Sequence, residues 1–523
     1  MKWLRVTGLL AVIAGVGAVG LFRQAPAGQA MATGFVFNDK DGDRKRDAGE
    51  PGIPNVRVSN GEEIVKTDRD GKWRLPVDDD TAFFVIKPRG WMTPLNHHNL
   101  PEFYYIHKPQ GSPNVKFVGV APTGPLPDSI DFALTLQKEP EKFRAIFFGD
   151  TQPRDAREVD YITHDVIEPM IGKTDASFGV TLGDVVYDDL SQFERLNRAV
   201  ALIGIPWYNV LGNHDINYDG GSDEHSDETW ERIYGPNYYS FDYGPTHFVV
   251  LDDVHWHPPV GETRGRYTGR FGEKQLKWLE RDLSMVPKDQ LVVLLMHIPL
   301  HGTEDKERIF RLIEDRPYAL SVSAHEHFQE HYFYTEEDGW KGKKPHHHVV
   351  NVTVCGSWWQ GAPDERGIPH TTMRDGAPNG YNIFTFDGNQ YSMEFRAAGR
   401  SEGYQMNIYA PDDIPMDEQT LFKANIFGGN EKTKVEMRID EGDWQPMRQV
   451  RKFDPAYQEA FAREAGLGAP YRRSPAPIAS SHLWEALIPA GLSEGPHRVS
   501  VRATDMFGQS YTSVRLVHAV PKS

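Results

Sequence analysis

The sequence predicts an α/β core set between two small β-rich regions. Three observations lead there. From Phe143 to about Ala398, apolar strand-like runs alternate with stretches of helical period, the pattern of an α/β domain. Before that, from Ala32 to about Leu136, short apolar runs (Gly34 to Phe37, Val56 to Val58, Phe83 to Ile86) stand between Asp/Gly/Pro clusters, as in a small β-sandwich. After it, from about Glu402, the β pattern returns; in Gly495 to Ala503, Val499 and Val501 alternate with Arg498, Ser500 and Arg502 as in a half-buried strand.

Taken in order, the chain starts with an export-type segment. Lys2 and Arg5 precede an uncharged stretch, Gly8 to Phe22, and Gly28 and Ala30 offer a cleavage site. Fifteen residues fall short of the ~20 a spanning helix needs, so a cleaved signal over 1–30 is expected rather than a retained tether. A β-sandwich over 31–137 follows, then a polar linker, Gln137 to Lys142, containing Pro140. The α/β region is expected over 141–398. Within it Val159, Ile162, Val166 and Met170 share one helical face, Phe193, Leu196, Val200 and Ile203 share another, and Phe271 to Val286 reads as a third amphipathic helix. A second β-sandwich is expected over 400–523.

Composition removes several classes of function. The 523 residues leave room for roughly three to four domains. A net charge of −17 argues against a duplex nucleic-acid binder, and a mean hydropathy of −0.54 against a multi-span membrane protein. The single cysteine, Cys355, excludes an intrachain disulfide, a zinc ribbon and a Cys-based redox pair. With no cysteine near the export segment, a lipid anchor is not expected there. The mature chain is expected in the periplasm or outside the cell, tethered only if the segment stays uncleaved, with no integral membrane domain after cleavage.

The informative residues fall where apolar strands end. Arg144 to Gly149 runs into Asp150-Thr151-Gln152; Phe178 to Gly183 into Asp184; Pro206 to Gly212 into Asn213-His214-Asp215; Leu291 to Met296 into His297; and Leu320 to Ala324 into His325-Glu326-His327. Five strands thus present a carboxylate, amide or imidazole at their C-terminal ends, where α/β sheets form ligand sites. Each motif alone is weak, and Asp150-Thr151-Gln152 by itself reads as a capped turn. His325 and His327, at i and i+2, each lend a neutral nitrogen donor and point more firmly to a metal.

In this order the motifs resemble the calcineurin-like metallophosphoesterases, specifically an exported bacterial branch with β-domains on both sides. The resemblance covers about half the chain and implies a four-layer αββα core acting as a metal-dependent phosphoric ester hydrolase. It further implies that Asp150, Gln152, Asp184 and His327 hold one divalent cation, while Asp184 bridges to a second held by Asn213, His297 and His325. Two cations ~3.5–4 Å apart clamp the attacking and leaving oxygens of an in-line displacement at phosphorus, with metal-bound hydroxide as nucleophile. By the same resemblance His214 is the general acid and Asp215 orients its ring. Gln152 stands where many members have histidine. An amide oxygen is a harder ligand than imidazole, which puts manganese first and iron, zinc and magnesium as alternatives. Ala324 replaces the usual glycine before His325.

Asp39, Asp41, Asp43, Asp47 and Glu50 fall at positions 1, 3, 5, 9 and 12 of a calcium-type loop, with Arg44 where glycine is expected. This resembles the calcium-stabilised β-domains of bacterial surface proteins; the bland reading is a solvated acidic turn. Trp358, Trp359, Asp375, Asn379 and Tyr381 follow the last ligand and are expected at a substrate rim, with core packing as the alternative. His346, His347 and His348 read as a strand. The substrate expected is a phosphate mono- or diester of the cell envelope or a nucleotide. The rival reading is a calcium-stabilised surface or adhesion protein with a vestigial phosphatase core, although every ligand position holds a coordinating side chain. An exported nuclease is disfavoured by the net charge.

Overall fold

The computed structural model describes residues 30–261 and 264–521; the export-type segment expected over 1–30 lies outside them save for Ala30. Two mixed sheets face each other at the centre. One has five strands in the order Trp207–Val210, Phe178–Leu182, Lys142–Phe148, Gly380–Asp387, Gln390–Ala397, the first three parallel. The other has six, in the order Tyr239–Tyr243, Thr246–Val250, Leu291–Leu295, Ala319–Ser323, His346–Val350, Glu330–Tyr334, with a parallel centre and antiparallel edges. Large aromatic side chains fill the space between them. Phe178 meets Phe241 at 5.6 Å and Phe248 at 5.2 Å edge-on, and Phe143 stacks on Phe386 at 5.2 Å, contacts that add to their burial.

Helices cover the outer faces and complete the αββα layering. The faces foreseen from the sequence are buried, but the first helix differs from a simple 3.6-residue repeat. Ala156–Ile162 continues through a π turn, Thr163–Ile167, into a tight turn, Glu168–Met170. Val159, Ile162, Val166 and Met170 nevertheless all enter the apolar cluster beneath. Phe193–Val200 ends in the turn Ala201–Ile203 at Gly204 (φ +83°). The third helix, Glu273–Ser284, is shorter than Phe271 to Val286 because Gly272, at φ +77°, turns the chain into it. The three consecutive histidines lie on the strand His346–Val350 and are all buried, held by hydrogen bonds such as Ser321 Oγ to His346 Nε2 (2.8 Å) and to His348 Nδ1 (2.7 Å).

Residues before the core form two facing four-stranded sheets, and residues after it form one of four strands and one of five. The N-terminal pair is tied firmly to the core. Lys87 Nζ reaches Glu139 at 2.6 Å, and the other Glu139 oxygen accepts the amides of Gly90 (3.0 Å) and Gly244 (2.8 Å), so the linker is anchored rather than loose. Arg57 spans Asp242 (2.8 Å) and Asp282 (3.0 Å), while His247 lies between the same two carboxylates at 2.7 Å from each.

Burial opposes charge on His247, but Asp282 and Asp242 override it and raise its pKa. Burial likewise opposes ionisation of the two acids, and His247 and Arg57 more than offset it, so both pKa values fall. The sign follows directly. The histidine's contribution to stability is complete below the usual ~6.5 and fades as pH rises through its elevated value; the acids' contribution is lost as pH falls through their depressed values. Arg57→Met strands two buried carboxylates against one imidazolium. It is expected to cost about 3–5 kcal/mol at neutral pH by chemical denaturation; a cost under about 1 kcal/mol would mean that this cluster does not hold the two regions together.

Candidate dinuclear metal centre

Each chemistry-bearing residue sits just past a strand end, on backbone that turns sharply. Asp150, Gln152, Asp184, His325 and His327 all have positive φ, from +21° to +70°. Non-glycine residues rarely adopt this region, and such strain clusters at functional sites. Two glycines make the crowding feasible. A Cβ on Gly183 would lie 2.4 Å from His297 Nδ1, and one on Gly212 would lie 2.0 Å from the Asp184 amide nitrogen. The Gly-Asp and Gly-Asn pairs in the sequence therefore reflect close approach between neighbouring strand ends.

Asp150, Gln152, Asp184 and Asn213 come from the five-stranded sheet; His297, His325 and His327 come from the six-stranded one. They converge. His297 Nε2 lies 3.1 Å from Asn213 Oδ1, 3.2 Å from Asp184 Oδ1 and 3.1 Å from His325 Nδ1. His297 Nδ1 donates to the Leu182 carbonyl at 2.8 Å, so it is Nε2 that faces those three atoms and would turn a lone pair to a cation on losing its proton. His327 is built alike: Nδ1 donates to the Gly356 carbonyl at 2.7 Å, and Nε2 faces Asp150 Oδ1 at 3.5 Å. That oxygen is fully buried and has no hydrogen-bond partner, while Asp150 Oδ2 accepts the His325 amide at 2.9 Å.

Buried carboxylates gathered this closely call for positive charge among them, supplied by a proton on His297 or by a cation in its place. Burial resists charge on His297, yet Asp184, Asp150 and Asp253 together lift its pKa to about 10. Burial and His297 hold the His325 ring down to about 4, and burial holds His327 down to about 3, leaving both as neutral donors. The Asp150 carboxyl is pushed well up by burial and, among its neighbours, by Asp184. Carboxylate, amide oxygen and neutral imidazole, sealed together with an orphaned oxygen, form a donor set that suits divalent cations. Gln152 fits after one change. Its Nε2 donates to Asp184 Oδ2 at 2.7 Å and its Oε1 faces Cys355 Sγ at 3.7 Å; a half-turn of the amide, which preserves its shape, turns the oxygen inward.

His214 lies at the rim. Its amide donates to Asp184 Oδ1 at 2.9 Å, its ring stacks on Tyr187 (centroids 4.3 Å apart), and its Nδ1 donates to Asp188 Oδ1 at 2.6 Å. This corrects the expectation for Asp215. That carboxylate does not hold the His214 ring; it accepts the amides of Val185 and Gly212 on one oxygen and of Val186 on the other, at 2.9–3.0 Å, and so ties two strand-end loops together. Adjacency in sequence suggested a contact that the turn at 213–215 rules out. Asp188, four residues beyond Asp184, takes the role; a loop residue without periodicity left only its nearness to Asp184 as a signal. Asp253 gave no signal in the sequence, although it braces His297 by accepting the amides of His297 (3.3 Å) and Ile298 (3.1 Å).

Of the expected rim, Trp358 alone is at the centre, stacked on His327 with centroids 3.9 Å apart. The other four are structural. Trp359 is buried and donates to the Thr151 carbonyl at 3.0 Å; Asp375 is buried against His482 Nε2 (2.8 Å); Asn379 donates to Asp165 (3.0 Å); Tyr381 packs on Phe148 within the sheet. The loop from Cys355 to Asn379 packs inward because the C-terminal region grips it: Glu464 accepts the amide of Ala362 (2.9 Å) and meets His370 Nε2 (2.6 Å), and Asn425 donates to the Asp375 carbonyl (3.1 Å).

In the acidic loop, Asp39, Asp41 and Asp43 place oxygens within 4.8 Å of one another. Glu50 does not join them, because its two oxygens accept the amides of Lys40 (2.7 Å) and Asp47 (3.0 Å), and Asp47 is likewise outside that group. Arg44 adopts φ +68° at the position where glycine is usual.

Three family models match in sequence order: the N terminal of calcineurin-like phosphoesterase over 39–120, calcineurin-like phosphoesterase over 143–329, and the C terminal of calcineurin-like phosphoesterase over 348–511. No curated protein matches. Among solved structures, purple acid phosphatase PPD1 from yellow lupin (Lupinus luteus) seeds is similar at 15% identity and a TM-score of 0.36, covering 66% of this chain and 67% of that one. The extracellular domain of the putative one component system BT4673 from B. thetaiotaomicron is similar at 9% identity and a TM-score of 0.15, covering 27% and 19%. The three matched stretches span most of the chain and include every strand end at the centre, so the chain belongs to the calcineurin-like phosphoesterase family of metal-dependent phosphoric ester hydrolases.

Proposed function

We propose that the protein is an exported phosphoesterase that cleaves a phosphate ester of the cell envelope or a nucleotide at a centre of two divalent cations. Asp150, Gln152, Asp184 and His327 would hold one cation, and Asp184, Asn213, His297 and His325 the other. What carries this reading is the pair of histidines locked by backbone carbonyls, His297 to Leu182 and His327 to Gly356, with Nε2 facing Asp184 and the orphaned Asp150 oxygen respectively. When bound, the two cations supply Lewis acidity at the phosphoryl oxygens and lower the pKa of water.

The chain's own groups do the rest. Asp184 draws the two donor sets together and, through its contact with the His214 amide, sets the distance of that residue from the centre. His214 holds a proton for the departing oxygen. Burial disfavours charge on its ring, but Asp184 and the Asp188 contact outweigh it and raise its pKa, which favours the protonated ring a general acid needs. Tyr187 and Asp188 fix the ring plane, and the Arg154 guanidinium lies over the Tyr187 ring, 4.5 Å from its centroid. Export rests on the sequence of the first thirty residues, and manganese on the amide oxygen of Gln152.

The test is to strip the full chain with a chelator, restore Mn²⁺, Mg²⁺, Fe²⁺ or Zn²⁺ in turn, and assay mono- and diesters while counting bound metal. Two ions per chain with Mn²⁺, and the highest turnover with that metal, are expected. Tight binding of fewer than two ions by active protein would overturn the dinuclear assignment.

A further inference from the structure

We propose that His97, His98 and Glu194 form a separate site for a zinc-class cation, which ties the N-terminal β-region to the helix Phe193–Val200 of the core. The turn carrying the two histidines is built to stand where it does. Asn96 Oδ1 accepts the amides of His98 (2.8 Å) and Leu100 (3.1 Å), and Asn99 takes φ +57° to close the turn. Asn99 then anchors the turn to the core twice, its carbonyl accepting the Trp207 amide (3.0 Å) and its side chain donating to the Ala201 carbonyl (3.0 Å). Glu194 approaches from the first turn of the helix.

The spacing is that of metal ligands rather than of hydrogen bonds. The His98 side chain is 5% exposed, and its Nε2 is fully buried with no hydrogen-bond partner, an arrangement that is costly unless something completes it. Glu194 Oε1 stands 3.6 Å from that nitrogen, too far for a hydrogen bond. Two donors ~2.0–2.2 Å from a tetrahedral zinc lie about 3.4 Å apart, so an ion between them needs only a slight approach. The His97 ring lies beside that of His98, centroids 3.8 Å apart, and the three residues offer donor atoms all within 4.8 Å of one another. Two imidazoles and a carboxylate favour zinc over calcium or magnesium and leave a fourth position for water.

The charge states suit the same ion. Burial lowers the His98 pKa and keeps the ring a neutral donor, and the bond from Arg198 keeps Glu194 ionised. Arg198 Nη2 occupies Glu194 Oε1 at 2.9 Å and is the competitor for the site. Both side chains of that pair are largely exposed, so it is weak, and the arginine is free to swing into solvent as the metal binds.

The experiment compares the full chain with Glu194→Gln and His97→Asn, all stripped of metal and then equilibrated with Zn²⁺. The strand-end centre is the same in the three proteins, so it cancels in the difference, whatever its own metals are. Both substituted side chains are exposed, and unchanged melting temperatures without metal will show that the fold is kept. The native chain should hold one more Zn²⁺ than either variant, and zinc should raise its melting temperature by about 2 °C or more beyond theirs. Arg198→Ala should bind that extra ion several-fold more tightly. Equal stoichiometry and equal thermal shifts in all three proteins would overturn the proposal.

Discussion

Asp184→Ala is expected to release both divalent cations from the strand-end centre and to abolish hydrolysis while leaving the fold intact. In the proposed assignment Asp184 is the acid common to both donor sets: Oδ1 lies 3.2 Å from His297 Nε2 and accepts the His214 amide, while Oδ2 meets Gln152. Burial works against its ionisation, yet His297 and His214 hold it firmly deprotonated, so one full negative charge disappears from the middle of the centre. Metal-supplied charge stabilisation is worth several kcal/mol, and at about 1.4 kcal/mol per factor of ten its loss costs on the order of 10³-fold or more in rate. The fold should survive, because deleting one of several crowded carboxylates relieves repulsion as it removes hydrogen bonds. Asp184→Asn, of the same shape, controls for packing and should lose metal in the same way. Metal counted per chain, alongside turnover, decides the matter; two tightly held ions in either variant would remove Asp184 from the bridging position.

The fold was legible where apolar periodicity is strong. The alternation from Phe143 onward marked the strands and helices of the core, and the aromatic filling of the two sheets follows from runs such as Phe143 to Phe148. Boundaries were less legible. Nothing in the 3.6-residue spacing of Val159 to Met170 foretells a π turn, because an added residue per turn leaves the same side chains buried.

The candidate centre was legible as a cluster, since each of its side chains follows an apolar strand directly and the two sheets bring those strand ends together. What the sequence concealed was the surroundings. Asp188 and Asp253 act through contacts across loops, and the rim residues after Cys355 were misplaced because the grip on that loop comes from Asn425, 50 residues beyond Asp375, and Glu464, 102 beyond Ala362. Contacts of that range leave no trace in local pattern. The C-terminal region thus has a physical role visible only in three dimensions: it fixes the loop that stacks Trp358 on His327.

His214→Ala is expected to separate substrates by their leaving groups. If the ring protonates the departing oxygen, its loss should cost roughly 10²–10⁴-fold on an ester with a basic alkoxide leaving group. A nitrophenyl ester, whose phenolate leaves without a proton, should lose far less. Metal content should be unchanged, because His214 reaches the centre through its backbone amide, and alanine keeps that amide. Asp188→Asn provides the second arm. It removes the carboxylate that the ring addresses at 2.6 Å while leaving the Asp215 ties intact, so it should reproduce the same leaving-group bias at smaller amplitude. Asp215→Asn should behave differently. Its carboxylate serves the amides of Val185, Val186 and Gly212, so that variant should lower the melting temperature and slow both esters alike. Were His214 a cation ligand instead, its alanine variant would lose metal and slow both esters equally. The comparison of two esters and bound metal across His214→Ala, Asp188→Asn and Asp215→Asn therefore distinguishes a proton donor from a ligand, and its true partner from its neighbour in sequence.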